Sequence, residues 1–151
     1  MEITTLCYLK KDNKYLMLHR TKKDNDINKD KYIGVGGHVE HGETPTECII
    51  REVKEETNLT LKSVKLRGLI TFVIDDYDEH SFLYTSEDFE GDLCECAEGD
   101  LEWILIDEIN NLPLWEGDKI FFKLLEETDR FFTLKLKYIN DVFVESSYSF
   151  E

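Results

Sequence analysis

Residues 34–59 read GVGGHVEHGETPTECIIREVKEETNL, and the rest of the chain is interpreted around this stretch. Its second half carries the signals of a helix start. Thr44 suits the N-cap position, a proline follows at the first helical position, and Glu47 completes a capping box. The helix is predicted to run to about Thr57, because the next residue, Asn58, tolerates the left-handed conformation that ends many helices.

This predicted helix has an apolar side and an acidic side. At about 100° per residue, the apolar side is expected to pack on a sheet. It carries Ile49, Ile50, Val53 and Thr57. Three carboxylates share another side, because they lie three and four positions apart along the helix. They are Glu52, Glu55 and Glu56.

Two interpretations fit the three carboxylates. The first is a solvated charged face, which is common on helices. The second is a site for a hard divalent cation, because like charges that are partly buried repel and need an offsetting charge. The glycine turn at Gly36 and Gly37 favours the second, since glycine lets backbone carbonyls approach the same cation. Glu43 and Arg51 are also expected to pair and to tie this loop to the helix.

The flanking segments predict a mixed α/β domain. Alternating or β-branched runs indicate strands at residues 3–9, 15–19, 32–39, 61–74, 80–85, 101–106, 131–138 and 142–148, with a bend at Gly68. A second helix is expected to start at Gly117, with Asp118 as its cap. Two helices among many strands predict an α/β/α sandwich around a mixed sheet, in a single domain of residues 1–151.

Composition limits the partners of this chain. It has 151 residues, is 41% hydrophobic and carries a formal charge of −15, so a long nucleic acid is not expected as a ligand. No apolar run long enough to span a membrane and no export signal is evident, which predicts a cytoplasmic protein with free thiols. A monomer or a homodimer is expected. The loop at residues 21–31 is basic and either is solvated or contacts phosphate; its lysines are Lys22, Lys23, Lys29 and Lys31.

The opening stretch resembles the Nudix box, the signature of the Nudix hydrolases, which reads G-x5-E-x7-R-E-U-x-E-E-x-G-U with U apolar. The matching residues here are Gly37, Glu43, Arg51, Glu52, Val53, Glu55, Glu56 and Leu59. The final glycine of the pattern is replaced by Asn58, a mild change for that backbone role. The predicted order of strands and helices is compatible with the sandwich of this family across nearly the whole chain.

The resemblance implies hydrolysis of a nucleoside diphosphate linked to another group, with Mg²⁺, or Mn²⁺ in its place, as the cofactor. The metal ligands it implies are Glu52, Glu55, Glu56 and the carbonyl of Gly37. Glu43 and Arg51 are implied to be the ion pair that orients loop and helix. Either Glu55 or a carboxylate outside the box is the general base.

Further segments resemble the MutT-type branch, which cleaves oxidised purine nucleoside triphosphates such as 8-oxo-dGTP. Glu98 is either a further metal ligand of that branch or an ordinary loop acid. Trp115, with Asp118, is either a base-stacking residue or a core tryptophan, and Phe72 is a candidate pocket wall. Lys23 is the candidate phosphate contact of the basic loop. Mammalian-type enzymes have an asparagine that reads the base where this chain has Ile33.

Three functions remain open from the sequence. The first is a metal-dependent pyrophosphohydrolase that removes oxidised purine nucleotides from the nucleotide pool, giving a monophosphate and pyrophosphate. The second is a Nudix hydrolase of another substrate, such as ADP-ribose, a dinucleotide polyphosphate or a normal deoxynucleoside triphosphate. The third is a nucleotide-binding module without turnover. All acids of the box are present, which disfavours the third.

Overall fold

The computed structural model describes residues 1–22 and 24–151. These residues form nine strands, two α-helices and one 3₁₀-helix. The strands are β1 (Glu2–Lys11), β2 (Lys14–His19), β3 (Tyr32–Ile33), β4 (Val35–His38), β5 (Thr60–Ile74), β6 (Tyr77–Glu90), β7 (Asp100–Leu105), β8 (Phe132–Ile139) and β9 (Val142–Phe150). The helices are α1 (Pro45–Thr57) and α2 (Asp118–Glu127), and the 3₁₀-helix covers Ile106–Asn111. None of the helices within the described ranges has the length and apolar character needed to cross a membrane.

The strands join in one mixed sheet. Its main order is β3-β2-β1-β6-β5-β8-β9, while β4 pairs with β1 and β7 pairs with β2 beside this path. The β1–β6 and β5–β8 pairs are parallel, and the remaining pairs are antiparallel. The predicted α/β class with a mixed sheet is confirmed.

Alternate residues of β1 face the two helices on opposite sides of the sheet. Cys7 packs with Ile49 and Val53 of α1 in one apolar cluster. Tyr8 belongs to the other cluster, and its ring centroid lies 5.7 Å from that of Phe121 in α2. The sheet therefore lies between α1 and α2, which gives the predicted sandwich.

Local signals determine both ends of α1. The hydroxyl of Thr44 accepts a hydrogen bond from the backbone N–H of Glu47 at 3.0 Å, and the Glu47 carboxylate accepts one from the N–H of Thr44 at 2.9 Å. At the other end Asn58 has φ 68° and donates its N–H to the carbonyl of Lys54. The predicted capping box and left-handed terminator are both confirmed.

The prediction that Ile50 lies on the buried apolar side of α1 is wrong. Ile50 is 39% exposed, whereas Cys48 is fully buried. The Cys48 thiol lies 3.4 Å from the carbonyl of His38 in β4, because α1 packs against that strand and covers the side of the helix that faces it. All four cysteines are free thiols, as predicted.

The glycine turn predicted before α1 is instead part of a strand. Gly36 and Gly37 lie in β4 and pair with Leu6 and Thr5 of β1. A Cβ atom on Gly36 would lie 1.9 Å from the carbonyl oxygen of Thr5. Glycine is therefore required here by the close approach of two strands and not by a turn.

One strand differs from its predicted extent. Residues 80–85 were the expected strand, but β6 is longer at both ends because it pairs with β5 and β1 along its length. The 3₁₀-helix after β7 was not predicted. The bend at Gly68 coincides with a register shift in β5, and the β8–β9 turn at Asn140 and Asp141 has the positive φ angles of a tight hairpin.

Asp118 is not the cap of α2. Gly117 occupies the N-cap position, and no side chain caps this helix. Asp118 is the first helical residue and is only 5% exposed. Its carboxylate is withdrawn into the protein, where it lines the cavity described below.

Candidate active site

Arg51 connects the loop before α1 to the acids on the helix. Its Nε and Nη2 donate to the two carboxylate oxygens of Glu43 at 2.7 and 3.0 Å, in a bidentate pair. Its Nη1 donates to Glu52 at 2.7 Å and to Glu55 at 3.3 Å. Nη2 also donates to the carbonyl of His38 at 3.2 Å, so one guanidinium fixes loop, strand and helix together.

The charge state of Glu43 follows from this pairing. The guanidinium of Arg51, and then the backbone N–H of Glu40, hold the pKa of Glu43 at about 2. Glu43 and Glu52 in turn raise the pKa of Arg51. Both members of the pair are therefore charged at every pH at which the protein is expected to work.

Glu56 lies in a crowded acidic environment. Burial, and after it the charges of Glu98 and Glu52, together raise its pKa to about 8. The three acids are thus close enough to interact although they come from a helix and a distant loop. A divalent cation at this cluster would offset the mutual repulsion of these carboxylates.

Gly37 lies directly against the acid helix. A Cβ atom on this residue would lie 2.5 Å from the carboxylate carbon of Glu52. The hydroxyl of Thr5 donates to the Gly37 carbonyl at 3.2 Å and so holds that carbonyl on the α1 side of the sheet. Glycine therefore allows a backbone oxygen and the Glu52 carboxylate to share one small region.

Glu98 is held by a basic residue from another part of the chain. Arg20 donates to its carboxylate at 2.8 Å. Glu55, by contrast, is 59% exposed on its side chain and bound only through Arg51 among the described contacts. Within residues 1–22 and 24–151, no three His, Cys, Asp or Glu side chains already converge on one metal position. Arg51 explains this arrangement, because it draws oxygens of two of the acids toward itself.

The donor set nevertheless fits a hard cation. Carboxylate and carbonyl oxygens are the ligands that Mg²⁺ and Mn²⁺ prefer, and at least one carboxylate here is partly buried beside others. The residues that the structure brings together at this end are Glu52, Glu56, Glu98 and Gly37, with Glu55 at the exposed margin.

A cavity of about 280 Å³ opens beside this cluster. Gly36 and Gly37 form part of its wall, so it is continuous with the glycine strand that faces the acid helix. Phe72, Trp115 and Asp118 line its far side. The structure thus brings three of the four predicted substrate-binding residues into one cavity. The fourth, Lys23, lies outside the residues that the structure describes.

Trp115 is part of the cavity wall and not of a closed core. Its indole packs edge-on against Tyr138, with ring centroids 5.5 Å apart, and its Nε1 donates to the amide oxygen of Asn28 at 2.6 Å. The ammonium of Lys31 lies 4.7 Å from the indole centroid. These contacts fix the orientation of the ring.

Several cavity residues were not predicted. Asn28 belongs to a polar loop in which nothing distinguishes one residue from the next, and Tyr138 appeared only as an alternating residue of β8. Glu79 also lines the cavity, and its carboxylate accepts a hydrogen bond from the Thr4 hydroxyl at 3.1 Å. Ile33 also lines the cavity, so the position where related enzymes carry an asparagine is apolar here.

The basic loop is engaged with the protein itself. Lys22 donates to the carbonyl of Cys96 at 2.8 Å, and Lys29 donates to the carbonyl of Thr21 at 2.9 Å. Lys31 covers the indole of Trp115. The described lysines of this loop therefore hold the loop in place, and phosphate contact by Lys23 stays a prediction.

The buried carboxyl of Asp118 is expected to make the free energy of unfolding depend measurably on pH. Burial raises its pKa, the nearby charge of Lys31 offsets only part of that rise, and the resulting pKa is about 8. The folded state therefore binds a proton that the unfolded state releases near pH 4. The stability that this proton provides is present at low pH and is lost as pH rises to about 8, by at most about 1.4 kcal/mol per pH unit.

Asp118→Asn removes this dependence while it keeps the shape of the protonated acid. We expect the variant to match the wild type in free energy of unfolding near pH 4, to become more stable between pH 4 and 8, and to keep a constant advantage above pH 8. Urea unfolding of both proteins at pH 4.5, 6, 7 and 8.5 measures the difference. A difference that does not change with pH would contradict the raised pKa.

Comparison with known proteins agrees with this arrangement. The NUDIX domain matches residues 2–125. The chain is 31% identical over 119 residues to an oxidized purine nucleoside triphosphate hydrolase of Danio rerio, which covers 76% of this chain and 75% of the relative. It is 35% identical over 107 residues to an ADP-ribose pyrophosphatase of Methanocaldococcus jannaschii, which covers 70% and 60%, respectively. The crystal structure of a MutT protein from Bacillus halodurans has a TM-score of 0.89 at 28% identity and covers 99% of this chain and 98% of that one.

The domain match includes the whole box stretch and both helices up to residue 125, and the MutT structure follows this chain almost from end to end. The chain therefore belongs to the Nudix hydrolase family, and it is a hydrolase that acts on pyrophosphate bonds.

Proposed function

We propose that this protein hydrolyses purine nucleoside triphosphates, oxidised ones such as 8-oxo-dGTP in particular, to the monophosphate and pyrophosphate. The observation that carries the proposal is the single cavity that runs from Trp115, Phe72 and Asp118 to the glycine strand beside the acid helix. A base can lie between the aromatic residues while its phosphates extend toward the acids. Base–aromatic stacking of this kind contributes roughly 1–3 kcal/mol per base.

Mg²⁺, or Mn²⁺ in its place, is the proposed cofactor, held by Glu52, Glu55, Glu56, Glu98 and the Gly37 carbonyl. When bound, the cation neutralises charge on the polyphosphate and makes a bound water more acidic. The protein positions the acids: Arg51 and Glu43 keep the helix and the preceding loop in register through their bidentate pair. Glu55 is the proposed general base, since its exposed carboxylate can accept the proton of an attacking water.

The carboxyl of Asp118 favours an oxidised purine as the base. With a pKa of about 8, its carboxyl keeps its proton near neutral pH and offers one donor and one acceptor to a ligand. Among residues 1–22 and 24–151, no side chain or backbone group is hydrogen-bonded to that carboxyl. An 8-oxopurine carries an N7–H donor where guanine has an acceptor, so the acceptor oxygen of Asp118 suits the oxidised base. Removal of such nucleotides from the nucleotide pool is the corresponding biological role.

The second candidate substrate is ADP-ribose, which is favoured by the similarity to an ADP-ribose pyrophosphatase. The acid helix serves either substrate, because both contain a diphosphate. The two substrates differ beyond that diphosphate, since ADP-ribose carries a second sugar where a triphosphate carries its terminal phosphate.

A substrate screen tests both candidates. Purified protein with Mg²⁺ is incubated with 8-oxo-dGTP, dGTP, dATP, dCTP and ADP-ribose, and the products are separated by liquid chromatography. We expect the highest kcat/KM for 8-oxo-dGTP, with pyrophosphate and not phosphate as the second product. Protein with Glu56→Gln, purified in parallel, controls for contaminating phosphatases. Equal kcat/KM values for 8-oxo-dGTP and dGTP would rule out selection of oxidised bases, and fastest turnover of ADP-ribose would favour the second candidate.

A further inference from the structure

Asn28 places an amide at the cavity wall whose orientation is determined by its neighbour. The Nε1 of Trp115 lies 2.6 Å from Oδ1 of Asn28. An indole N–H can only donate, so the amide atom that faces it must be the oxygen. The amide nitrogen of Asn28 is therefore the atom left for other partners.

No acceptor within residues 1–22 and 24–151 takes a hydrogen bond from this nitrogen, although Asn28 lines the cavity. An amide nitrogen carries two N–H donors. The cavity thus has an aromatic ring, Trp115, and directly at the edge of that ring a donor group that donates to no partner in the described part of the chain. A planar ligand stacked on the indole would present its own edge to this donor.

The loop holds Asn28 in this position through several contacts. Its backbone N–H donates to Asp26 at 3.0 Å, and its carbonyl accepts from the N–H of Lys31 at 2.9 Å. Asp26 is itself paired with Arg20 at 2.6 Å, and both side chains are largely buried. Because these contacts are formed by the protein alone, the donor is in place before a ligand arrives.

We propose that the Asn28 amide donates to a carbonyl oxygen on the base edge, so that the site selects 6-oxopurine over 6-aminopurine nucleoside triphosphates. A guanine-type base presents a carbonyl acceptor at position 6, with or without oxidation at position 8. An adenine-type base presents an amino group there, and two donors facing each other in a partly buried site are unfavourable. The proposal rests on the proposed function, but it does not depend on selection of oxidised bases.

Asn28→Asp is the sharpest test. The aspartate keeps an oxygen toward Trp115 and changes the free donor into an acceptor, with almost no change in shape. We expect the ratio of kcat/KM for dGTP to kcat/KM for dATP to fall by about tenfold or more, with a higher KM for dGTP and improved turnover of dATP.

Asn25→Asp is the matched control. Asn25 is an exposed residue of the same loop, so this change adds the same charge without reaching the cavity. It is expected to leave the dGTP to dATP ratio unchanged. Asn28→Ala removes the donor without adding charge. It is expected to lower kcat/KM for dGTP without raising kcat/KM for dATP. If Asn28→Asp has a lowered melting temperature, so that lost folding could explain its activity, the dGTP to dATP ratio of Asn28→Ala is the test of the proposal.

The outcomes separate this inference from the function beneath it. If the wild type hydrolyses no purine nucleoside triphosphate, the proposed function fails and the inference fails with it. A second outcome is that the wild type hydrolyses dGTP, but Asn28→Asp and Asn28→Ala both keep the wild-type ratio of kcat/KM for dGTP to kcat/KM for dATP. In that case the role of Asn28 is wrong while the proposed function stands.

Discussion

Replacing Glu56 by glutamine is expected to lower kcat/KM for the best nucleotide substrate by about 100- to 1000-fold. The change keeps the size of the side chain and removes one carboxylate from the cluster with Glu52 and Glu98. Cation stabilisation of a reacting phosphate is worth several kcal/mol, and each 1.36 kcal/mol corresponds to a tenfold change in rate. Steady-state rates at saturating Mg²⁺ measure the loss.

Metal binding gives a second readout that does not depend on turnover. A cation that binds only the folded state raises the melting temperature of the wild type. In Glu56→Gln we expect that rise with Mg²⁺ or Mn²⁺ to be strongly reduced, whereas the melting temperature without metal is not lowered. Glu127→Gln is the control, because it makes the same chemical change at an exposed acid that is paired with Lys123. Wild-type kcat/KM in Glu56→Gln would show that the assigned cluster is wrong.

Replacing Arg51 by lysine has the second largest expected effect. Lysine keeps the charge but cannot form the bidentate pair with Glu43 or reach Glu52 and His38 at the same time. Groups that orient metal ligands typically contribute 10- to 100-fold to activity or metal affinity. We therefore expect kcat/KM to fall by about 10- to 100-fold, together with weaker Mn²⁺ binding in a titration monitored by calorimetry.

The pH dependence of stability tests whether Arg51→Lys acts by breaking the ion pair between Arg51 and Glu43. Glu43 has its pKa lowered to about 2 by Arg51, so the pair stabilises the folded state above about pH 4.5 and this contribution disappears as pH falls toward 2. The melting temperature of Arg51→Lys is expected to be lower than that of the wild type at pH 7, and the gap should narrow at pH 3. Lys54→Arg on the same helix serves as the control. An undiminished gap at pH 3 would indicate that Arg51 stabilises by another contact.

The acid helix could be predicted in detail because its signals are local. Thr44 and Glu47 cap it through contacts three residues apart, and Asn58 ends it by its own backbone preference. Helical geometry alone places acids three and four positions apart on one side. The pairing of Arg51 with Glu43 was also predictable, since Glu43 lies just before the helix that carries Arg51 and the charges are opposite.

Prediction was less successful wherever a residue depends on a strand from elsewhere. Ile50 is apolar and lies beside the packing side of α1, yet it is exposed because the helix leans toward β4. Aspartate at the position of Asp118 is typical of a helix N-cap. The residue is instead buried beside a cavity that forms only when the sheet has folded. Local preference cannot show either outcome, since both depend on which surfaces meet after folding.

The sequence by itself determined the reaction. The acids of α1, Arg51 and the glycine strand lie within one short stretch, and the resemblance of that stretch to the Nudix box implies hydrolysis of a pyrophosphate bond. Only the tertiary structure decided which residues line the cavity. Asn28 and Trp115 are far apart in sequence and meet because the N–H of Tyr32 donates to the carbonyl of Pro113 at 2.9 Å, which brings their loops together. The physical reason is that a helix is encoded by neighbours in sequence, whereas a pocket is assembled from loops whose proximity depends on the pairing of the whole sheet.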